Sequence, residues 1–164
     1  MDPGTAVTGY GVVDAPRGMA PTLVECGVIR TQSRVSLPAR LRQIHDDLAN
    51  LLARHRPSVL AVETAFYARN VRTTLVLGHA RGVIVLAAEE AGIPVVEYSP
   101  AVVKQSVTGR GAAVKSQVGF MVAQLLRLRA APSPADAADG VAIALTHVLR
   151  AAPRTARPLV ERPP

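Results

Sequence analysis

The chain has no tryptophan, a single cysteine, and only three tyrosines and two phenylalanines in 164 residues. With so few rings the core has to be built from Val, Leu, Ile and Ala, which favours helices packed closely on a sheet. Cys26 standing alone excludes an internal disulfide and a cysteine-held metal cluster, and it reads as a small, half-buried strand residue. No apolar stretch reaches the roughly 18 residues of a membrane span, and the N-terminus lacks the basic-then-apolar pattern of a secretory signal. The expectation is a cytoplasmic protein with no membrane partner. Acids are also scarce: 12 Asp and Glu stand against 19 Lys and Arg, giving a formal net charge of +7 and a pI near 10.7. Phosphodiesters are the substrate such a surface attracts.

What is present is 49% hydrophobic composition, enough for one core. Residues 1–150 read as one domain, and residues 151–164, rich in Pro and Arg, as a disordered tail. Alternation and β-branched residues mark strands over 7–13 and 23–31, joined by a Pro/Gly-containing turn into a hairpin. Ser36 can cap a helix carrying Leu37, Leu41, Ile44, Leu48, Leu51 and Leu52 on one stripe, with Arg40, Arg42, Asp46 and Asp47 on its polar face, and Pro57 forces the exit. Residues 58–63 form a short strand with four consecutive apolar positions, as a buried central strand should have. A helix over 73–90 ended by Gly92, a strand over 93–98, and helices over 113–127 and 136–149 complete an α/β fold with an antiparallel hairpin at one side. Asp2-Pro3-Gly4 implies an apolar strand leading up to it, yet only Met1 precedes it, so the first strand is expected to be truncated.

Against the basic background four carboxylates stand out: Asp2, Glu63 at the end of the buried strand, and the pair Asp136 and Asp139. Asp136 and Asp139 are three apart on a helix, hence on one face, and in its first turn, where the macrodipole favours negative charge. Simple capping of that helix would account for them equally, and Asp2-Pro3-Gly4 alone could be an ordinary turn. Glu63 has the stronger claim, because a carboxylate ending a buried strand is costly unless paired or metal-bound. Acids converging from three separate segments suit divalent cations and in-line hydrolysis of a phosphodiester.

Residues 101–129 carry Lys104, Arg110, Lys115, Arg127 and Arg129 and no acid, which is either a solvated face or a track for DNA phosphates. Gly109-Arg110-Gly111 between them reads as a turn. Phe66-Tyr67 is the chain's one adjacent aromatic pair. Such a pair is often core, but flanking Arg69, Asn70 and Arg72 favour an exposed loop whose rings stack on unpaired bases.

In order along the chain, Asp2-Pro-Gly-Thr, Thr8-Gly-Tyr-Gly-Val, Glu63-Thr-Ala-Phe-Tyr-Ala-Arg-Asn, Gly78-His-Ala-Arg-Gly, Val103-Lys-Gln, Val114-Lys-Ser-Gln-Val and Ala135-Asp-Ala-Ala-Asp-Gly resemble the RuvC-type Holliday-junction resolvases. The resemblance runs from Asp2 to His147. It implies an RNase H-like fold with a mixed central sheet flanked by helices, a homodimer, and paired nicking of four-way DNA junctions in recombination and repair. It implies two Mg2+ ions per site, with Mn2+ as a substitute, held by Asp2, Glu63, Asp136 and Asp139 as the catalytic acids. Phe66 falls at a wedge position, Lys104 and Lys115 at DNA-contacting positions, and the Gly78–Gly82 helix at the dimer contact. A branch-migration motor is the further partner implied. Other classes fit less well. An actin-like or sugar-kinase-like phosphotransferase needs a second domain, a non-catalytic nucleic-acid-binding module has no use for four acids that repel DNA, and an RNase H-like nuclease acting on RNA would not explain Phe66, Lys104 and Lys115 together.

Overall fold

A computed structural model describes residues 1–64 and 71–151. Its elements are β1 (Val7–Asp14), β2 (Thr22–Arg30), α1 (Leu37–His55), β3 (Leu60–Glu63), α2 (Val71–Glu90), β4 (Val95–Tyr98), α3 (Pro100–Thr108), α4 (Lys115–Leu125) and α5 (Ala135–Ala151). The expected tail lies outside the described residues from residue 152 onward.

β1 and β2 pair antiparallel, Gly9 opposite Val28, with a register shift between Val12 and Val13; β3 and β4 pair parallel, Glu63 opposite Tyr98. Two residues join these ladders into one mixed sheet. Asp2 exchanges both backbone hydrogen bonds with Gly9, at 2.9 and 3.1 Å, while Met1 accepts from Glu63 N at 3.0 Å and donates its amino group to Ala61 O at 2.7 Å. The position expected of a first strand is therefore held by Met1 and Asp2, and Asp2 is fixed between the strands on either side.

The core lies on both faces of this sheet, because the apolar run of β3 alternates sides. Leu60 and Val62 pack with Ile44, Leu48, Leu52, Ile84 and Ile93 from the side of α1 and α2. Ala61 packs with Val103, Val107, Val118, Val122, Val141, Ile143 and Leu145 from the side of α3, α4 and α5.

Several expectations need correcting. Ser36 occupies the cap position of α1, but its side chain makes no cap hydrogen bond; its carbonyl accepts from Arg40 N instead, and Pro38 in the first turn sets the entry. Helix α3 was not expected from sequence. Its signals are local and legible: Ser99 Oγ accepts from Val102 N at 3.3 Å, Pro100 opens the helix, and Gly109 closes it at φ 76°. The next helix is shorter than expected, starting at Lys115 and stopping at Leu125, with Arg127 already in the left-handed region at φ 53°. By length and composition alone α2 could cross a membrane, against the expectation of no such stretch, but Ala80, Ile84, Ala87 and Ala88 are buried in the core.

Candidate active site

Asp2, Asp136 and Asp139 each offer a carboxylate oxygen, and the three oxygens lie within 4.8 Å of one another. Two constraints bring them there. Asp2 is held by its ladder bonds to Gly9, while Asp136 and Asp139 sit one turn apart at the start of α5. Glu63 ends β3 beside Met1 and Asp2, and its carboxyl feels the charges of Asp2 and Asp139.

Glycine brings α5 close enough. A Cβ on Gly9 would lie 1.9 Å from the carbonyl oxygen of Asp136, one on Gly11 would meet Val141 Cα at 2.6 Å, and one on Gly140 would meet the Tyr10 backbone at 2.6 Å. The helix thus rests directly on the backbone of β1, with glycine on each side of the contact. These three glycines position the acids as surely as the strands do. Their signal in the sequence is the spacing Gly9-Tyr10-Gly11, which puts both on one face of a strand.

Electrostatics makes this cluster unstable as four bare anions. Burial first, and then the charge of Asp139, pushes the Asp2 carboxyl up to about 6; burial, then Asp2 and Asp139, pushes Glu63 up to about 7. Oxygen-only ligands, mutually repelling and half-buried, fit a hard divalent cation, which would reverse both shifts.

The raised values have a consequence for stability. Asp2 and Glu63 bind protons more tightly folded than unfolded, so these two groups stabilise the metal-free protein at low pH and lose that contribution as pH rises from about 4 to about 7, opposed in part by the Met1 amino group, which burial pushes down to about 5. We expect the melting temperature in chelator to fall across this window, and the slope to be shallower in Glu63→Gln. Added Mg2+ is expected to raise the melting temperature more at pH 8 than at pH 5. An identical pH slope in Glu63→Gln would show that Glu63 is not the titrating group.

Of the expected DNA-contacting residues, Phe66, Tyr67 and Arg69 lie outside the described residues. Arg72 is exposed in the first turn of α2, Lys104 is half-buried on α3, and Arg110 is exposed between α3 and α4. Lys115 is placed differently from a remote phosphate contact: Nζ donates to Asp139 Oδ2 at 2.7 Å. Its side chain is 73% exposed, so the pair adds well under about 1 kcal/mol to folding. Removing it should act on chemistry. Lys115→Ala is expected to lower the cleavage rate at saturating junction more than it lowers affinity, whereas Lys104→Ala should weaken affinity and flatten its salt dependence by about one unit of slope. Equal losses of rate and affinity in Lys115→Ala would leave it a phosphate contact only.

One pair beside Glu63 was missed from sequence. Tyr98, opposite Glu63 in the ladder, has its hydroxyl 2.9 Å from His147 Nδ1, tying the end of β4 to α5. Forty-nine residues separate the two, and no local pattern couples them.

A mixed sheet sandwiched by helices, with carboxylates of three segments gathered where Asp2, β3 and α5 meet, defines an RNase H-like nuclease that depends on metal. Residues 1–147 match the family model described as crossover junction endodeoxyribonuclease RuvC, and the chain belongs to that family. It is 51% identical over 158 residues to the protein of that name from Halorhodospira halophila, covering 95% of this chain and 92% of the relative. It is 49% identical over 147 residues to that from Pelotomaculum thermopropionicum, covering 90% and 89%. The solved structure of Thermus thermophilus RuvC in complex with Holliday junction substrate superimposes with a TM-score of 0.86 at 39% identity, covering 92% of this chain and 91% of that one. The yeast mitochondrial Holliday junction resolvase Ydc2, at 17% identity and a TM-score of 0.61, shares the fold.

Proposed function

We propose that this protein is an endonuclease that resolves four-way DNA junctions by paired nicks, with Asp2, Glu63, Asp136 and Asp139 holding two Mg2+ ions that Mn2+ can replace. The observation that carries the reading is the convergence of Asp2, Asp136 and Asp139 within 4.8 Å in an otherwise basic protein. Divalent cations in such a site supply Lewis acidity toward the phosphate and an activated water. The chain's own residues do the rest. The four acids fix where the cations sit, Lys115 partners Asp139 until a phosphate is present, and Lys104, Arg110 and Arg72 attract the backbone of the junction. Membership of the family, and the junction complex of the Thermus relative, support four-way DNA as the substrate.

Two cuts across one junction suit a homodimer. α2 supports this with an open apolar face formed by Leu75, Gly78, Gly82, Val83 and Leu86, on which Leu75 and Leu86 are 60% and 53% exposed and the two glycines have nothing near them. A branch-migration motor as partner and a cytoplasmic location complete the proposal.

The deciding experiment incubates the protein with a synthetic mobile four-way junction and with matched duplex, each with Mg2+ and with chelator. Symmetric nicks in the junction alone, dependent on Mg2+, are expected. Cleavage in chelator, or equal cutting of duplex, would overturn the proposal, and a monomeric mass in light scattering would overturn its dimer.

A further inference from the structure

The segment that carries Asp2 into β1 bends sharply, and its backbone carbonyls are claimed by side chains from β1, from α1 and from the residue that follows β2. Thr8 Oγ1 donates to Gly4 O at 2.6 Å. Thr31 Oγ1, just past the end of β2, donates to Thr5 O, and Thr31 N donates to Ala6 O at 3.0 Å. Arg40 of α1, expected on a solvent-facing stripe, reaches the same place: Nε is 2.8 Å from Thr31 Oγ1 and 3.2 Å from Thr5 O. Thr5 and Thr8 are buried, so water is a poor substitute for these partners.

Repulsion from Asp139 and Asp136 works against the placement of Asp2. Asp2 must stay beside Asp136 and Asp139 before any cation neutralises them. Asp2 itself is tied to the sheet through Gly9, and residues 3–6, before β1 begins, form the loop between them. A charged donor on the Thr5 carbonyl adds to the ladder bonds a restraint on the loop side.

We propose that Arg40, acting through Thr31 and the Thr5 carbonyl, is a positioning residue that holds Asp2 in its metal-binding place. The inference rests on the proposed nuclease reading for its effect on cleavage, but its effect on metal binding stands apart from it. Arg40 touches neither substrate nor reacting atoms in this role. Groups supporting metal ligands typically change metal affinity by about 10-fold or more when removed, and displacement of a reacting group by about 1 Å can cost about 100-fold in rate.

The test titrates Mn2+ into wild type, Arg40→Ala, Arg40→Lys and Thr31→Val, reading free Mn2+ by electron paramagnetic resonance, and measures junction affinity against salt on the same proteins. Arg40→Ala and Thr31→Val are expected to raise the Mn2+ dissociation constant, Arg40→Ala by about 10-fold, with junction affinity and its salt slope unchanged. Arg40→Lys should recover most of the loss, since an ammonium can still reach Thr5 O. Cleavage at saturating junction should fall in parallel and be partly restored by excess Mn2+.

Unchanged Mn2+ affinity in Arg40→Ala and Thr31→Val overturns the proposal. If Arg40→Ala does not fold, the same titration on Thr31→Val and Arg40→Lys decides. Reduced junction affinity with about one unit less salt slope and normal Mn2+ affinity would make Arg40 a phosphate contact instead. Wild-type protein that binds Mn2+ but cuts no junction would sink the nuclease reading alone, leaving the Mn2+ comparison to judge Arg40.

Discussion

Glu63→Gln and Asp139→Asn are each expected to abolish junction cleavage while junction binding stays equal to wild type or tightens. Both are near-isosteric, so packing is kept and only charge is removed. Glu63 sits beside Asp2 and Asp139; burial first, and then their charges, push its carboxyl up to about 7, and a neutral amide there relieves repulsion and loses a metal ligand together. Binding comes from cations elsewhere on the protein and improves when negative charge beside the phosphates is removed. Loss of in-line hydrolysis through a missing ligand should exceed about 1,000-fold in rate, near 4 kcal/mol of transition-state stabilisation. Melting in chelator should be unchanged or raised at pH 8 for Glu63→Gln, which separates a lost ligand from a damaged fold. Either variant cutting junctions at the wild-type rate would remove that residue from the mechanism.

Gly140→Ala is expected to be severe, although in most helices the same change is favourable. Alanine exceeds glycine in helix propensity by about 1 kcal/mol, so an α5 that packed loosely would gain stability. Here the new Cβ would lie 2.6 Å from the Cα and N of Tyr10, and the obstacle is backbone within a ladder, which cannot rotate away. Overpacking of this kind costs about 1 to 3 kcal/mol, and relief requires α5 to lift from β1. Lifting α5 carries Asp136 and Asp139 away from Asp2, so the folded fraction should also lose about 100-fold in cleavage. Gly119→Ala in α4 is the control: its Cβ would meet only the Ala131 methyl at 3.5 Å, and its melting temperature should be equal or higher. Wild-type melting and cleavage in Gly140→Ala would refute the close packing of α5 on β1.

Most elements were legible because their signals are local. The Leu/Ile stripe of α1, the apolar run of β3 and the alternation of the hairpin each follow from the period of one element, and their bounds moved by only a residue or two. α3 was equally local, with Ser99, Pro100 and Gly109 as its start and stop, but its lysine and the acid-free run around it read as surface charge and hid the Val103, Val107 spacing.

Sequence by itself therefore determined the α/β class and, by ordered motifs, the family, and it singled out four acids, three of which the fold brings within 4.8 Å of one another, since each rests on residue type at short spacing. Tertiary structure alone decided how these parts meet. Met1 and Asp2 join the ladders, Gly9, Gly11 and Gly140 let α5 rest on β1, Lys115 turns to Asp139, and Arg40 crosses from α1 to the Thr5 carbonyl. The physical reason is range. Periodicity and capping act within about one element, whereas these contacts join residues tens of positions apart, and their partners are largely backbone atoms, which carry no residue identity for a sequence to display.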